Sequence, residues 1–320
     1  MTKNTTVSKE EENRRLDVYV AEKFDLTRSA AQKILESGGV FVNGAKGDKK
    51  DKNYKTKEGD TVEISLAEPK ETNIAAKDLG LEVLYEDADL IVINKRRGMS
   101  VHPSRQGSHE DTLVNALLYH CKGSLSGING EIRPGIVHRL DKNTSGVMIA
   151  AKNDGAHVNL AKQIKEHTFE RIYHAVVFGT IKEDTGTVDL PLGRSKKDFK
   201  KIAAYKSADP GGKIREAVTH FEVLGRYSHK SSGYTHLKLR LETGRTHQIR
   251  AHMAHLGHPV LGDEVYGNAG TNRHFGFLNG QCLHSKSIRF VHPSTGDAVF
   301  VETELPDYFV RVMSELGEKR

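Results

Sequence analysis

Cysteine is nearly absent: Cys121 and Cys282 are the only two, far apart and outside any metal-ligand spacing. That excludes a disulfide framework and a thiolate zinc site, and two reduced core thiols are expected instead. Long apolar runs are missing too, so no membrane-spanning segment is expected. Residues Met1 to Asn13 are polar and charged, with no apolar stretch that would serve as a secretory signal, so a cytoplasmic protein is expected. Neither a Gly-Lys-Ser/Thr phosphate loop nor a Gly-x-Gly-x-x-Gly turn occurs, leaving a nucleotide-binding enzyme without support. No internal repeat is visible. What is present is a chain of 320 residues, 37% hydrophobic and 28% charged, a length that suggests about two domains. The net charge of +6 and pI near 9.1 favour polyanionic partners, and the argument sharpens where the charge is clustered.

Residues 14–66 read as a compact unit. Leu16, Val20 and Phe24 recur four apart and share one helical face; Ala30, Ala31, Ile34 and Leu35 do the same behind a Thr27 or Ser29 cap. Gly38-Gly39 ends the second helix, Val40-Phe41-Val42 with Asn43-Gly44 signals a strand and tight turn, and Gly59 to Ile64 supplies another strand. The loop between carries Lys46, Lys49, Lys50, Lys52, Lys55 and Lys57. Together with Arg14, Arg28 and Lys33 it makes a candidate phosphate-binding face, although a charge run can equally be a solvated loop. The Arg-Leu-Asp start, the Thr27 to Val40 helix and the Val-Phe-Val-Asn-Gly ending resemble an S4-type RNA-binding domain. That resemblance implies that Arg28, Lys33 and the lysine loop contact RNA phosphates.

Residues 1–13 are expected to be a flexible tail and 67–77, polar and aperiodic, a linker. From residue 78 to 320 the pattern is α/β (α+β), with strands dominating over helices in a mixed or antiparallel sheet. Leu81–Tyr85 and Leu90–Lys95 form a predicted hairpin; further strands fall at Val147–Ala151, Ile172–Phe178, Ala217–Leu224 and His236–Leu241. Helices are predicted over Ala156–His167, Thr246–Leu256 and Tyr308–Leu316.

One loop carries the functional argument: Pro134 to Gly146, with Asp141 between Arg139 and Lys142. Neighbouring cations favour the ionised carboxylate and a role as nucleophile or base; the alternative is that Asp141 only bonds the turn amides ahead of Thr144 and Ser145. On the Thr246–Leu256 helix, Ile249, Met253 and Leu256 share a face toward the core. Arg250, offset by about 100°, flanks that face and is the candidate partner for Asp141. Arg245, His247 and Gln248 precede or open the helix, whose free amides suit phosphate or base edges. The run Arg194 to Lys201 is a further candidate RNA-contacting loop. His252, His255 and His258 with Asp263 invite a metal reading, but an i+6 spacing does not share a helical face and Gly257-His258-Pro259 breaks the helix, so no metal is expected.

The Asp141 loop, with Asn94 to Pro103, Arg171 to Ala175 and Thr243 to His252 in that order, resembles the motifs of RluA-type pseudouridine synthases. Gly257-His258-Pro259 and Gly262 to Gly267 extend the likeness to the end of the chain. With the S4-like front, the whole is similar to the subgroup acting on large-subunit ribosomal RNA. The resemblance implies an RNA isomerase with Asp141 essential, as nucleophile or sugar-proton base. Tyr173 then lies against the target base, Arg250 pairs with Asp141, and Arg139 fills the gap left by the flipped nucleotide or binds its phosphate. It further implies an RNA partner, ribosomal rather than tRNA, no metal, no small-molecule cofactor, and a monomer. The sequence departs from the family at Arg96, where proline is usual after Asn94-Lys95; a fixed φ is lost and a donor and charge gained. A noncatalytic RNA-binding or ribosome-assembly protein on the same scaffold is the competing reading.

Overall fold

The computed structural model describes residues 2–24, 26, 28–46, 54–65, 74–103, 111–128, 133–209 and 213–317, with backbone alone for 28–30, 33, 46 and 269. The chain divides into two units, Met1–Glu71 and Thr72–Arg320.

The first unit contains β1 (Thr2–Thr6), α1 (Leu16–Lys23), α2 (Arg28–Glu36), β2 (Val40–Val42), β3 (Ala45–Lys46) and β4 (Thr61–Ser65) in a sheet ordered β1-β4-β2-β3. Leu16 and Val20 from α1 meet Ala31 and Leu35 from α2 over Val40, Val62 and Ile64 of the sheet. The tail expected over residues 1–13 is corrected by this structure. Thr2–Thr6 pairs antiparallel with β4 and Val7 enters the core. Its side chains are polar and largely exposed, so this edge strand offers no apolar alternation by which it would be recognised. Most of the expected linker, and Lys49, Lys50 and Lys52 of the basic loop, lie outside the described residues.

The second unit contains β5 (Glu82–Glu86), β6 (Leu90–Lys95), α3 (Leu113–Cys121), β7 (Ser145–Ala151), α4 (Asp154–Lys165), β8 (Glu170–Phe178), β9 (Thr185–Asp189), β10 (Leu192–Arg194), β11 (Ile202–Ala204), β12 (Ile214–Arg215), β13 (Val218–His229), β14 (Ser232–Leu241), α5 (Gln248–His255), α6 (Ala269–Asn272), β15 (Leu283–Val291), β16 (Ala298–Glu302) and α7 (Asp307–Leu316). The large sheet runs β5-β6-β7-β15-β8-β14-β13-β9, with β16 on β15. It is mixed: β7 and β15 are parallel and the other pairs antiparallel. A separate three-stranded sheet, β11-β10-β12, stands apart from it.

Two apolar layers explain why β6 and β7 read as unbroken hydrophobic runs. Ile91, Ile93, Met148 and Ala150 point to one face and pack with Leu117 of α3 and Ile249 and Met253 of α5. Leu90, Val92, Val147 and Ile149 point to the other, against Leu160 of α4. Strands covered on both faces lose their polar alternation. On α5 the expected core face stops at Met253, because the helix ends and Leu256 is 41% exposed. The α4 helix starts at Asp154 with Asn153 as its cap, whose Oδ1 accepts from the Ala156 amide at 2.9 Å. Cys121 and Cys282 are free and buried.

Candidate active site

Strands β6 and β7 are neighbours, so the loop leaving β6 and the loop entering β7 meet at one end of the sheet. Asp141 sits in the second loop. The Thr144 amide donates to the Asp141 backbone carbonyl at 3.1 Å, so the turn is closed by the carbonyl and the carboxylate is left to face α5. Lys95, at the end of β6, reaches under both loops. Its Nζ donates to the carbonyls of Arg96 at 3.1 Å, Met99 at 2.9 Å and Lys142 at 3.2 Å. The Gly98 amide adds a further bond to the Lys142 carbonyl at 2.9 Å. Burial pulls the Lys95 ammonium down to about 7, with the Asp141 charge opposing.

Arg250, on α5, joins two acids. Nη1 donates to Asp141 Oδ2 at 2.9 Å. Nε and Nη2 form a fork on Asp263, at 2.6 Å to Oδ2 and 2.9 Å to Oδ1. Burial acts to lower the guanidinium, but the bonds and charges of Asp263 and Asp141 outweigh it and hold it above its ordinary value. Asp263 is fully buried and also accepts from the Val265 and Tyr266 amides, so the fork is fixed by backbone. The result is a carboxylate with one oxygen anchored. For the other, Oδ1, the nearest ionic partner among the described residues is His247 Nε2 at 3.9 Å, and the Asp141 side chain remains 18% exposed. His247 lies with φ +54° at the helix start and its Nδ1 meets the Tyr266 hydroxyl at 3.2 Å. Burial lowers its pKa and the Asp141 charge acts against that. A half-open carboxylate oriented by arginine is suited to attack or to proton removal at a group entering from solvent.

Tyr173 lies on β8, buried, on the same sheet face as Ala175 and Val177 and within the layer that holds Ile249 and Met253. Burial raises its hydroxyl, Arg171 and a contact with Ser285 oppose this, and the Asp141 charge adds to the rise. Arg139 is exposed beside Asp141 and within reach of its charge. Arg245 is exposed, with Nε donating to the Glu216 carbonyl at 2.9 Å.

Gln248 differs from the expectation. It is buried, its amide donates to Val218 O and Thr219 Oγ1, and its Oε1 accepts from Thr243 Oγ1 and the Arg245 amide. Its polar atoms are consumed in tying α5 to β13, and none faces outward. The side chains of Arg28 and Lys33 lie outside the described residues. The histidines weighed as metal ligands disperse: His252 bridges Thr219 Oγ1 and the Leu190 carbonyl, His258 meets the Phe178 carbonyl, and Asp263 serves Arg250.

Sequence reasoning leaves the structural roles of two residues unassigned. Lys95 and Asp263 both fall inside the motifs quoted above, yet nothing local marks either as buried. Behind the site, Arg97 stacks over Tyr308 with 4.1 Å to the ring centroid and donates to the Gln281 carbonyl at 3.0 Å. The Gln281 side chain donates to Thr144 Oγ1 at 2.9 Å, and the Tyr308 hydroxyl meets Ser145 Oγ at 2.7 Å. The loop that lacks proline at position 96 is thus held by its neighbouring arginine.

Comparison with known proteins identifies both units of the chain. Residues 89–255 match the RNA pseudouridylate synthase family and residues 14–62 the S4 domain. The chain is 42% identical over 312 residues to an uncharacterized RNA pseudouridine synthase of Bacillus subtilis, covering 97% of each. It is 39% identical to the ribosomal large subunit pseudouridine synthase D of Zymomonas mobilis, covering 95% of this chain and 94% of that one. Among solved structures, human RNA pseudouridylate synthase domain containing 1 superposes with a TM-score of 0.57 at 26% identity, covering 77% of this chain and 89% of that one. A family match over more than half of the chain, and relatives aligned almost end to end, make the chain a member of the RNA pseudouridine synthase family, the isomerases that act on RNA.

Proposed function

We propose that this enzyme converts specific uridines of large-subunit ribosomal RNA to pseudouridine, with Asp141 as its catalytic residue. The observation that carries the reading is the half-anchored Asp141: Arg250 holds Oδ2, while the ionic partner of Oδ1 among the described residues is His247 at 3.9 Å and the side chain stays 18% exposed. In the isomerisation the N1–C1′ bond of uridine breaks, the freed uracil turns in place, a C5–C1′ bond forms, and the proton displaced from C5 leaves as N1 becomes protonated. Asp141 drives the first step, either by attack on the sugar or by removing a sugar proton. Tyr173 supplies a flat face for the uracil and a hydroxyl for the C5 proton. The reaction is an isomerisation with no net oxidation or reduction, so the reading needs no redox cofactor. Arg139 and His247, at the rim, contact the flipped nucleotide or its phosphate; Arg245, Arg28 and Lys33 bind flanking phosphates. Ribosomal RNA is favoured over tRNA because relatives that match almost end to end, including the Zymomonas mobilis protein, are named for the ribosomal large subunit. The protein acts in the cytoplasm as a monomer; among the described residues no helix is long and apolar enough to cross a membrane.

The test is carbodiimide mapping of pseudouridine in RNA from cells with and without the gene, complemented by wild type or by Asp141→Asn. Sites that vanish and return only with wild type establish activity and target together. Sites unaffected by deletion, in a strain lacking redundant enzymes, turn the reading toward a noncatalytic RNA-binding protein.

A further inference from the structure

Phe199 is the most exposed large apolar side chain among the described residues, at 78%. It stands at the tip of the β10–β11 hairpin between Lys196, Lys197, Lys200 and Lys201. A lone surface phenylalanine needs no explanation, but this one is presented on an ordered tip. The Ser195 amide donates to the Lys201 carbonyl at 3.0 Å and closes the hairpin. Ser195 Oγ accepts from the amides of Lys197 and Asp198, and Asp198 Oδ1 from the Lys200 amide. Arg194 Nη1 donates to the carbonyl of Phe199 itself at 2.8 Å. The ring is therefore held out with little backbone entropy left to lose on contact. At the base, the Ile202 amide donates to the Tyr266 hydroxyl at 2.9 Å, and Tyr266 touches His247 and lies 5.3 Å from the Arg250 guanidinium.

We infer that the β10–β12 sheet is an RNA-gripping arm whose tip residue Phe199 stacks on an unpaired base of the substrate, while its lysines hold the flanking phosphates. This deepens the ribosomal RNA reading above and rests on it. An unpaired RNA segment offers both chemistries the tip displays, a flat π face and closely spaced negative charge. A duplex satisfies only the lysines. Through Tyr266 the arm is fastened to the residues that hold Asp141, so a base gripped at the tip fixes the substrate relative to the carboxylate.

The chain contains no tryptophan, so Phe199→Trp creates a single reporter at the tip. The probes are an unmodified transcript of a large-subunit RNA hairpin, a fully paired duplex of equal length, and heparin. Emission of the variant should change on saturation with the hairpin and stay nearly constant with duplex or heparin. Phe199→Ala should weaken hairpin binding about tenfold and leave duplex binding unaltered. Alanine at all four lysines should weaken both RNAs and reduce the salt dependence of binding. Tryptophan emission that ignores the hairpin at saturation overturns the inference, as does an equal response to heparin. Wild type assayed on ribosomal RNA separates the two readings: no pseudouridine there removes the ribosomal substrate, whereas a working wild type with an indifferent tip removes the arm alone.

Discussion

Arg250 spends two of its donors on Asp263 and one on Asp141, so the acid with no solvent exposure anchors the arginine that aims the acid with some. The two partners should therefore respond differently to substitution. Arg250→Ala leaves the Asp263 carboxylate buried without its cation and should cost about 3–5 kcal/mol of stability, read as a fall in urea midpoint. Arg250→Lys cannot fork to one acid and reach the other. It should fold better than alanine yet lose turnover in single-turnover assays at saturating RNA. Asp263→Asn keeps the shape but weakens the fork, with an expected loss of about 1–3 kcal/mol. Near-normal turnover in all three would remove Arg250 from the mechanism.

Lys95 should give the catalytic unit a distinctive pH dependence. Its native pKa is pulled down to about 7, below the unfolded value. Between about 7 and 10.5 the unfolded chain therefore binds the extra proton, and stability contributed by this site rises with pH through that window. Below about 7 both states are protonated and the full cost of burying the ammonium is present. Relative to wild type, Lys95→Met should show a smaller rise in unfolding free energy from pH 7 to pH 10, by an amount on the order of a few kcal/mol. Parallel curves for the two proteins would contradict the burial argument. Turnover should fall in the variant as well, because three carbonyls of the two site loops lose their common donor.

The parts of this arrangement legible in the sequence are those with local periodicity or dense local motifs. The β5–β6 hairpin, the two front helices and the α5 position of Arg250 follow from spacing, and Asp141 was marked by its charged, turn-rich loop. Asp263 reads from the sequence only as a fourth ligand beside the histidines, since nothing near it announces that Arg250 lies across the fold. Gln248 is illegible for the same reason: a polar residue at a helix start reads as an exposed donor until β13 supplies Val218 and Thr219 as partners. The β15 strand, central in the sheet, was missed because Leu283-His284-Ser285-Lys286-Ser287 mixes polar residues into a buried run. Two of those polar side chains meet distant β7, where His284 Nδ1 bonds Ser145 Oγ and Ser285 Oγ donates to the Val147 carbonyl. Long-range hydrogen bonding leaves no periodic trace.

Tyr308→Phe removes a hydroxyl that joins Ser145 Oγ and donates to the Leu283 carbonyl at 3.0 Å, while keeping the ring under Arg97. The loop behind Asp141 then loses a tie without losing its packing. An expected cost of about 1–3 kcal/mol should fall more on kcat than on KM for RNA, since the hydroxyl faces the protein interior. Arg97→Lys should act in the same direction, because an ammonium stacks less well on the ring and cannot match the planar guanidinium. Equal kcat values for both variants and wild type would show that Asp141 is positioned without this tie.

Gly98 and Gly146 flank the site, both with positive φ, at +84° and +114°, yet alanine should be tolerated at only one. A Cβ on Gly98 would meet nothing within 4 Å, so Gly98→Ala is charged only for its left-handed backbone, about 1–2 kcal/mol. A Cβ on Gly146 would lie 2.1 Å from the Ser285 carbonyl oxygen, at the point where β7 runs parallel to β15 through the Ser145–His284 and Ser285–Gly146 registers. Backbone cannot rotate away as a side chain would. Gly146→Ala must part the two strands or shift the start of β7, and Asp141 lies five residues upstream in the chain that would move. The expected result is a loss exceeding that of Gly98→Ala by several kcal/mol, seen as a large drop in urea midpoint, together with loss of turnover under conditions where the variant remains folded. Similar midpoints for the two alanine variants would mean that the parallel junction is looser than its geometry indicates.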